Sequence, residues 1–395
     1  FADGEVSTDP RPELLKRYDK IVYSSAIPAD HPERTQAGSR ALHRMDFLLE
    51  VARAYPVQMA VAGTHGKTGT TSLLGWMLRG LGLDPAILVG GAPLYLEGGV
   101  CAGDGRIMVY ETDESDASFL KSEAQYRLCL NVDRDHMETY GDLNILRAAF
   151  ARFGSAARSL VVNSLDAGLS GISWQAERTV FYGGEESDYP ASWKGDDLFY
   201  RGELIERPGR ELALNALGAL ALVKELVARK PDLIATDFDL DRALLQAIAS
   251  FPGVSRRLEF IGRMGGVDVY DDYGHHPTEI AAVIAALRRK TSSRICVFFQ
   301  PHRFTRTRDL FREFARSLAL ADFVFLLPLY SAGEEPLPGV DSGLIADHLP
   351  PERSGGVVSF EDLGAELLPD GGQGYVILAL GAGSISESFR KLLNK

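Results

Sequence analysis

The chain reads as an α/β protein, and three features of its 395 residues carry that reading. Short apolar runs alternate with stretches of helical period from beginning to end, the pattern of repeated strand–helix units around a largely parallel sheet. A glycine-containing loop, Gly63-Thr64-His65-Gly66-Lys67-Thr68, lies between one such run and one such stretch. Charged residues gather just past the ends of several runs, where open α/β sheets place their ligand crevice.

Strands are expected at Val57 to Ala62, Ile107 to Glu111, Leu128 to Val132, Ser159 to Asn163, Val267 to Asp271, Ile295 to Gln300, Phe323 to Leu327 and Tyr375 to Leu380. A helix is expected over Thr70 to Leu81. Another opens at Pro277, a good first-turn residue, with Ile280, Val283, Ile284 and Leu287 along one face. The chain is too long for one ordinary core. The turn cluster Phe251-Pro252-Gly253-Val254 is the expected boundary between a central domain, 57–253, and a C-terminal domain, 254–395. Residues 1–56 carry a strand-like Lys20 to Ser24 and a helix-like Ala41 to Ala54, too little for a core, and read as part of a third domain. Phe1 and the lack of a charged-then-apolar lead suggest a start cut from something longer. Glu185 to Gly209, crowded with Gly, Asp, Pro and Trp, reads as a linker.

Hydrophobic residues at 45% and charged residues at 24% are ordinary globular values, and no apolar run reaches the roughly 18 residues of a membrane span. A net charge of −12, spread along the chain, argues against a nucleic-acid partner. Cys101, Cys129 and Cys296 show no metal or redox spacing, which fits a reducing cytoplasm.

The loop Gly63 to Thr68 stands where backbone N–H groups at a helix start can hold phosphate oxygens. Lys67 adds a point charge and Thr68 a hydroxyl of the kind placed on magnesium, against the bland alternative of a chance Gly-Lys-Thr turn. Glu111 ends one strand and is followed by Asp113, Glu114 and Asp116; Asp133, Asp135 and His136 follow another. Two acidic strand ends beside a phosphate loop form a plausible magnesium site, most of these acids being outer or solvated. A lone histidine such as His136 is more often a hydrogen-bonded structural residue than a ligand, and the neighbouring acids shift the balance towards function. Asp271-Asp272-Tyr273-Gly274-His275-His276-Pro277 is equally readable as crevice chemistry or as a capped helix start. Gln300 to Arg308 packs His302, Arg303, Arg306 and Arg308 after a buried strand, a cluster suited to carboxylate or phosphate.

Taken together, these segments resemble the Mur ligases of cell-wall precursor synthesis over nearly the whole chain, and most closely the alanine-adding branch. The resemblance rests on Ser24-Ser25-Ala26-Ile27-Pro28-Ala29-Asp30, Glu111 to Phe119, Asp135-His136-Met137-Glu138-Thr139-Tyr140, Asp271 to Pro277, Gln300 to Arg308, Tyr330 to Glu334 with Pro336 to Ser342, and Gly381 to Ile385. It implies a partial N-terminal UDP-sugar-binding domain, a central P-loop ATPase domain and a C-terminal Rossmann-like domain. The implied reaction joins L-alanine to the carboxylate of UDP-N-acetylmuramate through an acyl phosphate, with ATP as co-substrate and Mg2+ as cofactor, in a cytoplasmic monomer or weak homodimer. By the same resemblance Lys67, Glu111, His136, His302 and Arg306 are catalytic, and Thr68, Glu111 and His136 hold the metal. Gly63 to Thr70, including Gly69, bind ATP together with Asn215, Arg257 and Asp272. Ser24, Ser25, His65, Asp116, Ser118, His275, His276, His302, Arg303 and Arg306 face the other substrates. No lysine occurs in 141–154, consistent with a branch that uses no carbamylated lysine there.

Three features depart from the family pattern, the largest being that the Gly-rich turn for the sugar's diphosphate, expected before residue 1, is absent from this sequence. Gly209-Arg210-Glu211-Leu212-Ala213-Leu214-Asn215 lacks the family's histidine and one asparagine at the adenine end, and Gly69 stands where relatives carry Thr or Ser. The alternatives are a ligase that attaches a whole recycled tripeptide to the same sugar, or a degenerate relative that binds nucleotide without ligating.

Overall fold

The computed structural model describes residues 12–135, 137–207, 209–235 and 239–394. Two parallel-rich sheets dominate it. The larger has the order Tyr189–Pro190, Thr179–Gly183, Ser159–Asn163, Tyr126–Cys129, Val57–Ala62, Ile107–Glu111, Ala86–Leu88, Val100–Cys101. Its neighbours run parallel except for the antiparallel last pair. The second sheet has the order Glu259–Met264, Val267–Asp272, Tyr375–Leu380, Arg294–Phe299, Phe323–Leu326, Ser354–Val357, antiparallel only at its first pair.

Both faces of each sheet are covered, which is why the strands read as continuous apolar runs. In Val57–Ala62, Met59 and Val61 pack with Leu73, Leu74 and Leu78 on one face. Ala60 and Ala62 meet Phe119 and Phe150 on the other. Likewise Val297 and Phe299 join Ile280, Leu287 and Phe314, whereas Cys296 and Phe298 face Phe389 and Phe325. Cys129 and Cys296 are buried, and all three cysteines are free. Among the described residues no helix is long and apolar enough to cross a membrane.

Strand order decides where the chemistry gathers. Val57–Ala62 lies between Ile107–Glu111 and Tyr126–Cys129, so the loop after Ala62, Glu111, and the segment after Cys129 leave one edge together. In the second sheet Asp272 and Phe299 both pair with Leu380, which brings the turns carrying His275, His302 and Gly381 to one edge.

Several boundaries differ from expectation. Ala41–His43 is not helical; it pairs in parallel with Ile21–Tyr23, and the helix runs only over Arg44–Ala52, capped by the His43 ring on Met45 N–H. The helix after the loop begins at Lys67 rather than Thr70, because Gly66 at φ 82° turns the chain directly into it. The strand expected at Leu128 to Val132 is Tyr126–Cys129; beyond it the Asn131 side chain bonds the phosphate loop instead of a neighbouring strand. The linker-like segment holds a three-stranded antiparallel sheet, Ser192–Lys194, Asp197–Tyr200 and Glu203–Leu204, whose Leu198 and Tyr200 are buried in the central core.

Candidate active site

A cavity of about 700 Å³ opens where the two sheet edges face each other. Thr64, His65, Gly66, Lys67, Thr68, Glu111, Ser118 and Asp135 line one side, Arg256, Arg257, Tyr273, His275 and Glu279 the other, and Arg44 joins them from the N-terminal segment.

The loop is shaped by its surroundings. Thr64 N–H and His65 N–H donate to the backbone oxygen and side-chain Oδ1 of Asn131, 3.2 and 2.8 Å. A Cβ on Gly66 would stand 2.5 Å from Asn215 Nδ2, so only glycine lets the buried Asn215 press against the loop's back. Asn215 therefore supports the loop from behind and is not part of the cavity wall. Thr70 turns its hydroxyl inward to Gly66 O, 2.8 Å. A Cβ at Gly69 would meet nothing within 4 Å, so sterics do not require glycine there.

Lys67 Nζ donates to Gly63 O at 2.7 Å and Thr64 O at 3.3 Å, and pairs with Glu114 at 2.8 Å. Burial alone would lower its pKa, but Glu114, 1% exposed, outweighs burial and raises it. Lys67 thus stays charged where phosphates would enter. Glu114 stood in the acidic run without being singled out; its pairing with Lys67 spans 47 positions and leaves no local signal.

Glu111 Oε1 accepts Gly90 N–H at 2.7 Å, while Oε2 is buried with no partner among the described residues. This orphaned carboxylate oxygen and the Thr68 hydroxyl, both in the cavity lining, are oxygen donors of the kind Mg2+ favours, so these residues fit the expected ion. The third expected ligand, His136, lies outside the described residues. Asp135 lines the cavity next to it and reaches Arg306 Nη2 at 3.6 Å.

The second sheet contributes a strained turn. Arg256 and Leu258 adopt left-handed φ of 57° and 51°, costing about 1–3 kcal/mol each, and they bracket Arg257, which faces the cavity. Asp272 accepts Leu258 N–H and Gly274 N–H, both at 2.7 Å, and Arg256 N–H donates to Glu259. Asp272 is thus buried behind the turn that presents Arg257; burial pushes its pKa up to about 6. Its neighbour Asp271, fully buried, is held by Ser386 and Arg390.

His275 lies in the cavity wall with its ring 5.6 Å from that of His302, which stacks on Tyr330. His302 Nδ1 lies 3.5 Å from Arg306 Nη1. Burial lowers His275 to about 4 and, with the His275 and Arg306 charges adding to it, His302 to about 3, so both rings are neutral near pH 7 and the guanidinium supplies the positive charge. Arg303 takes φ 73° to reach Tyr330 O by its N–H. His276 departs from its neighbour: it caps the helix Pro277–Lys290 on Thr278 N–H and packs on His65, ring centroids 4.9 Å apart.

At the N-terminal joint, Ser25 Oγ bonds Asp116 and lies 2.8 Å from His43 Nε2. Asp116 also accepts Ser118 N–H, and Arg44 pairs with Asp113. Ser24 bonds only locally among the described contacts, its carbonyl accepting Ile27 N–H.

The contacts between the two halves include one through His65. His65 Nε2 lies 3.2 Å from Asp133 Oδ2 and its Nδ1 3.4 Å from Glu279 Oε1, while Thr278 Oγ1 donates to Asp133 at 2.6 Å. Burial would discharge His65, but the two carboxylates raise its pKa to about 9. Glu279 also completes a capping box with His276, so the segment read as either crevice chemistry or helix cap serves both.

Residues 256–383 match the family model for the Mur ligase glutamate ligase domain. The chain is 36% identical to a UDP-N-acetylmuramate–L-alanine ligase of Sorangium cellulosum, over 97% of this chain and 84% of that protein. It is 39% identical to a protein of the same name from Acidithiobacillus ferrooxidans, covering 93% and 83%. Among solved structures it resembles a UDP-N-acetylmuramate-alanine ligase of Thermotoga maritima, with TM-score 0.75 and 26% identity over 95% of this chain and 84% of that one. A murein peptide ligase of Psychrobacter arcticus shares the fold, with TM-score 0.66 at 21% identity over 96% and 86%.

The His65 charge sets a pH dependence. Its folded pKa of about 9 exceeds the ordinary 6.5, so its contribution to stability is complete below pH 6.5 and is lost as pH rises through 9. The melting temperature of the protein should therefore exceed that of His65→Asn most at pH 6.5, with the gap closing by pH 9. A gap independent of pH would contradict the charged bridge.

Proposed function

The chain belongs to the Mur ligase family, among the UDP-N-acetylmuramate–L-alanine ligases, and from that footing we propose how its residues perform the ATP-dependent joining of L-alanine to the UDP-N-acetylmuramate carboxylate. A carboxylate and an amine in water form a salt, so the acid must be activated. The sugar carboxylate attacks the γ-phosphorus of ATP and ADP leaves. The alanine amine then attacks the acyl carbon, phosphate departs, and the amide remains.

The observation that carries this reading is one cavity that joins a phosphate loop with a charged lysine to Asp135 and His275, whose neighbours are Arg306 and His302. Lys67 stabilises charge as the phosphoryl group moves, its ammonium aimed by Gly63 O, Thr64 O and Glu114. Mg2+, held by Thr68 and Glu111 and, on the family pattern, His136, supplies further neutralisation of phosphate charge when bound. Arg257 approaches the nucleotide from the C-terminal side, with Asp272 fixing the turn behind it. Arg44 lines the cavity from the N-terminal segment that also carries the Ser25–Asp116 contact, and stands as a cation for the sugar substrate.

For the amino acid, Arg306 and Asp135 form a pair with complementary charges 3.6 Å apart. The alanine carboxylate goes to Arg306 and His302, and its ammonium turns towards Asp135. Neutral His275 and His302 add polar contacts without repelling that ammonium. The cover provided by Thr278 and Glu279 excludes water that would hydrolyse the acyl phosphate.

Incubated with Mg2+, ATP, UDP-N-acetylmuramate and L-alanine, the protein should release phosphate at a sustained rate only when both acceptors are present. Phosphate release indifferent to the sugar would sink the reading. Arg306→Ala should raise the KM for L-alanine at least about tenfold, the worth of a charged hydrogen bond, and leave the KM for ATP nearly unchanged. Equal rises in both would remove Arg306 from the amino-acid pocket.

A further inference from the structure

Beside the nucleotide crevice three side chains converge from two sheets. His65 comes from the phosphate loop, Asp133 from the segment after Tyr126–Cys129, and His276 from the start of the helix Pro277–Lys290. One ligand atom from each lies within 4.8 Å of the other two. Two imidazoles and one carboxylate form a nitrogen-rich set, which suits zinc-type ions better than magnesium, whose ligands are mainly oxygen.

The spacing is close to what such an ion needs. A tetrahedral ion with ligands at about 2.0–2.1 Å holds neighbouring donor atoms about 3.3 Å apart. His65 Nε2 and Asp133 Oδ2 already stand 3.2 Å apart, and Asp133 Oδ2 and His276 Nδ1 3.9 Å. Small side-chain rotations close the difference. His276 is 5% exposed and weakly held: its Nε2 has no hydrogen-bond partner among the described residues, and its Nδ1 stands 3.9 Å from Asp133 Oδ2. The ring's backbone contact is a long one, Thr278 N–H to Nδ1 at 3.4 Å. Thr278 Oγ1 meanwhile orients the Asp133 carboxylate, the outer support that bound ions characteristically have.

We infer that His65, Asp133 and His276 form a binding site for one divalent transition cation of the zinc type, separate from the magnesium position at Thr68 and Glu111. The ion replaces the proton that His65 holds between its carboxylates, and it ties the C-terminal sheet to the phosphate loop through metal bonds. It therefore locks the cover over the cavity, and zinc slows turnover where magnesium supports it. The inference stands on this cluster alone and does not depend on which substrates the cavity takes.

Zinc should be titrated by calorimetry into the metal-stripped full chain in excess Mg2+, with Co2+ as a spectroscopic probe of nitrogen ligation. One zinc should bind without being displaced by Mg2+, and Co2+ should give visible bands of a nitrogen- and oxygen-ligated ion. His276→Gln should weaken zinc at least about tenfold, whereas Glu111→Gln should leave zinc affinity unchanged. Asp133→Asn should show the same loss as His276→Gln, which keeps the test decisive if one variant folds poorly by its melting curve. Zinc should also raise the melting temperature of the unsubstituted protein and of neither variant. Absence of a zinc site in excess Mg2+, unchanged affinity in both variants, or loss in Glu111→Gln instead would overturn the inference.

Discussion

His65 clasped between Asp133 and Glu279 is the contact on which the two-sided cavity depends. It lies on the phosphate loop, yet one of its carboxylate partners belongs to the helix that opens the C-terminal sheet's first crossover. Together with Thr278–Asp133 and Arg306–Asp135, it holds the phosphate loop's edge against the sheet edge that carries His275, His302 and Arg306. Burial opposes the imidazolium, and two carboxylates are needed to overcome that cost.

The same logic recurs around the cavity: each cation is placed by an acid or by backbone oxygens instead of being left to solvent. Lys67 is aimed by Glu114 and two loop carbonyls. Arg306 faces Asp135, and Arg44 faces Asp113. Arg257 is presented by a turn whose left-handed residues are held by Asp272 and Glu259. Such preorganisation matters for phosphoryl transfer, where the protein's contribution is mainly positioning and electrostatic stabilisation. It also accounts for strain at Arg256 and Leu258, which the surrounding hydrogen bonds over-determine.

What could be read from the chain alone was whatever its chemistry writes locally. The strand, glycine turn and helix around Lys67 are contiguous, and the buried strands Val57–Ala62, Ile107–Glu111, Ser159–Asn163 and Tyr375–Leu380 stand where their apolar runs placed them. Pairings across long separations were not legible. Glu114 with Lys67, Asp133 with Thr278 and Ser25 with Asp116 follow from sheet order, which no local window contains. The short strand Ala41–His43 was hidden inside a helical pattern, because its partner Ile21–Tyr23 lies a whole helix away. The small sheet within Glu185 to Gly209 was masked by turn residues that also serve tight antiparallel connections. Asp272 and Asn215 were legible as important positions but not as buried supports, since burial is a property of the assembled fold.

The central claim is that the cavity activates a carboxylate by phosphorylation before an amine attacks it. The direct measurement uses UDP-N-acetylmuramate with both carboxylate oxygens replaced by oxygen-18, turned over with ATP and L-alanine, and mass spectrometry of the released phosphate. The account predicts one oxygen-18 atom in each phosphate formed, carried over when the acyl–oxygen bond breaks. Phosphate free of the label, alongside amide product, would contradict it.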